Sequence, residues 1–135
     1  MSTELEMVLR LLLAVGLAAL IGLERQHAGK PAGLRTHLLV CIGAALFTIA
    51  SIYGFGETGD AARVAAGVVA GVGFLGAGAI ISTREGILVG LTTAASIWAV
   101  AAIGLAAGAG LYILAPVATA VVMIVLRLPK KIGGE

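Results

Sequence analysis

The chain has 135 residues, 60% of them hydrophobic and only 12% charged, with a formal net charge of +2. A soluble domain carries roughly a quarter charged residues, so a mean hydropathy of +1.11 puts this chain in a membrane. A single cysteine excludes an intrachain disulfide framework, and the length leaves room for one membrane domain over 1–135 with short loops.

Glu4 and Glu6 stand where a signal peptide has basic residues, and no small-x-small cleavage site follows, so no cleaved leader is expected. The first predicted span covers about 5–23 and contains Arg10, with Glu6 one turn before it. That arginine reads as a snorkelling side chain near the interface, the alternative being a charge that faces a cavity. The loop over 24–37 holds Arg25, Lys30 and Arg35, and Gly29, Pro31 and Gly33 stop a helix there. Glu24, Arg25, Arg35, Thr36 and His37 are its candidate functional residues, against a plain solvated loop whose cations set topology. Glu24 closes a span, where a carboxylate needs a partner, and Arg35 is the expected one. His27 and His37 lack a cysteine or converging acids, so no metal site is assigned.

The second predicted span covers about 38–55, with Cys41 as a small buried hydrophobe. A short acidic loop with Glu57 leads to the third span, about 63–82, which is uncharged from Val64 to Thr83. About 20 residues at about 1.5 Å each cross a bilayer core of about 30 Å. Gly67, Gly71 and Gly78 share one face with Asp60, while Gly73 and Gly76 lie nearly opposite. Small residues on both sides let neighbouring helices approach from both sides, so this span is expected at the centre of a bundle. GVGFLG at 71–76 fits a nucleotide-binding fingerprint by letter alone, because the motif needs a preceding strand and a helix that starts at the glycines. Asp60 and Arg63 face the same way, three residues apart. Two readings stand for them: a site at the outer mouth of a cleft, or a helix cap with a surface ion pair.

No charge occurs from Gly86 to Leu126, about twice one crossing, which predicts two spans at 87–104 and 109–126. Gly104, Gly108 and Gly110 mark the expected hairpin, and Pro116 sits early in the last span. Trp98 falls in mid-span and reads as a packing residue. Thr92, Thr93 and Ser96 open the fourth helix, where hydroxyls bond the preceding turn or a neighbouring helix; a polar lining is the alternative. With five spans, Arg25, Lys30, Arg35, Arg84, Arg127, Lys130 and Lys131 fall on one side, leaving Arg10 and Arg63 on the other. The positive-inside rule then predicts an all-α bundle of five transmembrane helices, N-terminus periplasmic and C-terminus cytoplasmic.

No nucleophile stands with a base, and no zinc spacing or phosphate loop occurs, so neither an enzyme nor a cofactor protein is expected. The acids that would serve Mg²⁺, Glu57 and Asp60 on one side and Glu24 and Glu85 on the other, lie away from mid-membrane.

GLAALIGLERQHAGKPAGLRTHLLVCIGAALFT (16–48), DAARVAAGVVAGVGFLGAGAII (60–81) and GLTTAASIWAVAAIGLAAGAGLY (90–112) resemble, in this order, the MgtC/SapB family of bacterial inner-membrane proteins. The resemblance implies a five-helix membrane domain in the inner membrane. Positions that carry its motifs are Glu24, Arg25, Gly33, Leu34, Arg35 and Thr36; Asp60, Arg63, Gly73, Phe74, Gly76 and Gly78; and Gly90, Leu91, Thr92 and Thr93. Virulence-associated members carry a C-terminal cytoplasmic domain resembling an ACT fold, which this sequence is expected to lack. The resemblance links such members to growth in low Mg²⁺, survival in macrophages and inhibition of the rotary ATP synthase, which by analogy is a partner to consider.

The expected function is that of a small regulatory protein acting through helix–helix contact with a membrane partner, linked to low Mg²⁺ or envelope stress. The glycine faces supply the contact, and Asp60/Arg63 with Glu24/Arg35 hold the helix ends in register. Small-xxx-small pairs at Gly67/Gly71 and Gly104/Gly108 point to a homodimer. The alternative is a Mg²⁺ or proton transporter or channel working as a homo-oligomer.

Overall fold

The computed structural model describes residues 2–56, 60–82 and 88–129, apart from the side chains of 81, 82, 88 and 89. Glu57, Thr83, Arg84, Glu85, Lys130 and Lys131, which entered the charge and site arguments, lie outside the described residues.

The first helix, α1 (Thr3–His27), starts at Ser2, whose Oγ accepts from the Leu5 amide at 3.2 Å. Glu4 and Glu6 sit in its first turn and Arg25 in its last, each charge complementing the helix dipole. It runs past the expected end at 23, so Glu24 and Arg25 are helical rather than in a loop. The second helix, α2 (Leu34–Tyr53), also begins earlier than expected, taking in Arg35, Thr36 and His37. Gly33, just before it, has no side chain to cap it, and Gln26 of α1 does so instead, accepting the Leu34 amide at 3.1 Å.

The third helix, α3 (Ala61–Ala79), is capped by Asp60, whose Oδ1 accepts the Ala62 amide at 3.0 Å. Beyond it, β1 (Ile81–Ser82) and β2 (Leu88–Val89) form a small antiparallel ladder with Ile81 opposite Val89, where the sequence pointed only to span ends and a loop. Gly90, at φ +91°, turns the chain into α4 (Leu91–Gly108), and a Cβ there would collide with the Ala79 carbonyl. The last helix, α5 (Leu114–Leu126), follows a turn over 109–113. Of the three glycines expected in that turn, only Gly110 lies in it; Gly104 and Gly108 belong to α4.

The helices alternate in direction. Arg25, at the end of α1, bonds the carbonyl of Leu126 at the end of α5. Arg10, near the start of α1, bonds the carbonyl of Gly108 at the end of α4. His37, near the start of α2, bonds Ser96, near the start of α4. Four helices, α1 to α4, are long and apolar enough to cross a membrane; α5 is apolar but has only 13 residues, about 20 Å of helix.

The expectation of a central third helix is overturned: α4 occupies the centre. It packs on all four other helices, whereas α3 packs chiefly on α4 and less on α2. The main core gathers Leu17 and Ile21 of α1, Cys41 and Ala45 of α2, Val100, Ile103 and Ala107 of α4 and Ala115 of α5. Only Val68 and Gly76 of α3 are buried. The physical reason is side-chain bulk. Val100, Ile103 and Ile97 give α4 interdigitating contacts on several faces, while glycine presents no atoms to fill such contacts. Trp98 is a second correction: it is 53% exposed on the outside of α4 rather than packed within the bundle.

Candidate functional site

Polar side chains gather at the two ends of the bundle. At the end where α1 and α5 finish, Arg25 is buried at 2% exposure. Its Nε donates to Glu24 Oε2 at 2.7 Å and its Nη2 to Glu24 Oε1 at 3.1 Å, a bidentate pair. Nη2 also donates to the Leu126 carbonyl at 3.3 Å, joining α1 to the last turn of α5. Nη1 has no hydrogen-bond partner among the described residues. The expected partner of Glu24, Arg35, is exposed, as is Thr36. Sequence spacing missed the true pair because consecutive helix residues do not normally face one another; here the long arginine side chain folds back along the helix end.

One turn into α2, His37 is fully buried. Its Nδ1 lies 2.8 Å from the Gly33 carbonyl, which can only accept, so the ring proton sits on Nδ1 and Nε2 faces Ser96 Oγ at 2.9 Å. Ser96 Oγ also lies 2.7 Å from the Thr93 carbonyl. With a neutral ring, the one hydroxyl proton of Ser96 therefore serves two acceptors. Thr93 is buried beside it, and Thr92 is half-buried. Next to this group, between α4 and α5, a cavity of about 450 Å³ is lined by Arg25, Lys30, Thr92 and Ser96 and by apolar side chains of both helices.

At the opposite end, Arg10 donates from Nε to Glu6 Oε1 at 3.0 Å and from Nη1 to the Gly108 carbonyl at 3.0 Å. Its guanidinium lies 5.1 Å from the centre of the Tyr53 ring, a cation–π contact. Tyr112, in the turn before α5, donates to Glu6 Oε1 at 2.5 Å. That bond, made by the neutral phenol to a carboxylate, raises the tyrosine pKa above its ordinary value. Arg10 is thus a tie between α1 and the α4–α5 turn. The Glu6–Arg10 spacing was visible in the sequence; Tyr53, Tyr112 and the Gly108 carbonyl were not.

Asp60 and Arg63 are both exposed. Asp60 acts as the cap of α3, and the described ion pairs are Glu6–Arg10 and Glu24–Arg25, so no Asp60–Arg63 pair forms among the described residues. Of the two pairs expected to hold the helices in register, only Glu24 takes part in an end cluster, with Arg25 in place of Arg35, while Asp60 and Arg63 take part in neither.

The glycines divide sharply. A Cβ on Gly104 would collide with the Cys41 carbonyl, and one on Gly108 would come within 2.6 Å of the Ala45 carbonyl. This small-xxx-small pair is used inside the chain, between α4 and α2, and is not free for a dimer. On α3, a Cβ on Gly76 would touch Ala94 of α4 at 3.5–3.6 Å, but Gly67, Gly71, Gly73 and Gly78 face open space. Packing from both sides of α3 is not observed. Phe74, between these glycines, is 81% exposed. Among the described residues no three His, Cys, Asp or Glu side chains converge as metal ligands.

Long apolar helices, an outer surface of exposed leucine, valine and phenylalanine, and polar clusters confined to the bundle ends define a membrane-integral helical protein. The chain belongs to the MgtC family, whose model matches residues 11–134. YhiD of Escherichia coli (strain K12), named as a candidate magnesium transporter, is 48% identical over 130 residues, covering 91% of this chain and 60% of its own length. SrpB of Synechococcus elongatus is 48% identical over 122 residues, covering 82% of this chain and 67% of SrpB. MgtC of Brucella abortus (strain 2308) is 49% identical over 113 residues, covering 83% of this chain and 46% of that protein. The chain thus spans about 60% of YhiD and about half of MgtC. No solved structure matches it.

Proposed function

We propose that this chain is a magnesium-linked regulatory protein of the bacterial inner membrane that works by helix–helix contact through α3, without catalysis. One observation carries the reading: at Gly67, Gly71 and Gly78, which share one face of α3, a side chain would meet only open space. Lipid-facing positions are ordinarily filled by bulky apolar side chains, whereas glycines at this spacing let another helix approach closely. The magnesium link rests on family membership and on the name carried by YhiD. In this reading all five helices cross the bilayer, the N-terminus is periplasmic and the basic loops are cytoplasmic. Alternating helix direction and the positions of Arg25, Lys30, Arg35 and Arg127 support that orientation. The partner is first of all a second copy of this chain.

Sedimentation of the purified chain in detergent tests this, with Gly67→Leu and Gly71→Leu compared against the parent. The expected result is a dimer that becomes monomeric in both variants while thermal unfolding is unchanged. A monomeric parent, or variants that dimerise as the parent does, would sink the reading.

The name of YhiD supports a second reading, ion transport by a homo-oligomer. Proteoliposomes with a Mg²⁺ dye inside separate the two. Flux that disappears in a folded Asp60→Asn variant establishes transport; no flux of Mg²⁺ or protons above protein-free liposomes leaves the regulatory reading.

A further inference from the structure

The cavity between α4 and α5 is amphipathic. Arg25 and Lys30 stand at its polar end, and Ala95, Ala99, Val121 and Val125 form apolar walls. Arg25 is the residue that calls for a ligand. It is 2% exposed, its Nε and Nη2 are taken by Glu24 and the Leu126 carbonyl, and its Nη1 has no acceptor among the described residues. A buried cationic N–H without an acceptor is costly, so such a group ordinarily has one. Glu24 balances the charge of Arg25, and Lys30 then leaves the polar end with one net positive charge among these three side chains. That net positive charge favours an anion as the missing acceptor. A guanidinium edge suits phosphate oxygens, and the apolar walls suit a hydrocarbon chain attached to that phosphate.

We propose that this cavity binds one anionic phospholipid, its phosphate seated against the Arg25 guanidinium, its headgroup beside Lys30, and an acyl chain lying between α4 and α5. Charge complementarity selects this occupant: the polar end carries one net positive charge, which an anionic lipid neutralises and a zwitterionic lipid, bringing its own ammonium, does not. Val121 and Val125 are themselves exposed on the outside of α5, which leaves the groove open to the bilayer that supplies the lipid. The site is separate from the open face of α3 and does not rest on the function proposed for it.

The test is native mass spectrometry and thermal unfolding of the purified full chain in detergent, with added phosphatidylglycerol, phosphatidylcholine or inorganic phosphate. One phosphatidylglycerol is expected to remain bound per chain and to raise the unfolding temperature, with phosphatidylcholine about tenfold weaker. Lys30→Gln is expected to weaken phosphatidylglycerol binding about fivefold, the contribution of one basic residue near a lipid surface. Ala99→Phe fills the groove without touching either cation and should abolish retention in a folded protein. If that variant does not fold, Val125→Trp, at an exposed position of the opposite wall, makes the same measurement. Equal retention of phosphatidylcholine, protection by inorganic phosphate as strong as by lipid, or undiminished retention in a folded groove-filling variant would each overturn the assignment.

Discussion

Two glycine pairs with the same four-residue spacing lead opposite lives in this protein. Gly104 and Gly108 of α4 lie against the backbone of α2, next to Cys41 and Ala45. A side chain on Gly67 or Gly71 of α3 would meet only open space. The surroundings differ in the same sense. The α2–α4 contact has a polar tie at one end, His37 to Ser96, and at the other end Arg10 holds the Gly108 carbonyl. No described side-chain hydrogen bond joins α3 to another helix. Spacing alone therefore says that a helix has a face suited to close approach. Bulky neighbours and polar ties decide whether that face is already occupied.

The sharpest way to break the comparison is Gly104→Leu. Four extra carbons would have to enter a contact that excludes even one, so a loss of about 3 kcal/mol or more is expected, read as failure to unfold cooperatively on heating in detergent. Next comes His37→Ala, which removes the ring's bonds to the Gly33 carbonyl and Ser96 and opens a void. About 2–4 kcal/mol should be lost, measured by denaturant titration. Arg10→Met keeps much of the apolar stem but frees the end of α4, for about 1–2 kcal/mol. Hydrogen exchange should then quicken over 106–113 and stay unchanged in α3. Smallest in stability is Gly67→Leu, within about 0.5 kcal/mol because the new side chain meets open space. A large destabilisation by Gly67→Leu in monomeric protein would erase the distinction between the two pairs.

Much of the fold was legible in the sequence. Five apolar runs and their order, Cys41 as a buried hydrophobe and the Glu6–Arg10 pair all follow from local spacing and hydropathy, and the helix cap was one of the two readings open for Asp60. The site was less legible. Arg25 and Thr93 were among its candidates and are buried, but Arg35, Thr36, Asp60 and Arg63 are exposed. His37 was named without its role and Ser96 without its partner, while Tyr53 and Tyr112 entered only through contacts distant in sequence. Helix ends shifted for a local reason: glutamate, arginine and histidine continue a helix readily, so hydropathy closes a span before the backbone does.

What the sequence determined by itself is the class of protein and the existence of its elements. Apolar length, absence of charge and helix caps are properties of single segments, and a bilayer leaves such segments little choice but helix. Which helix stands at the centre was decided only by tertiary structure. Every one of these helices has apolar or small residues on more than one side, so no single helix reveals its neighbours. Placing α4 rather than α3 in the middle, and giving Arg25 to Glu24 rather than Arg35, depends on how side chains from distant segments fill one another's gaps.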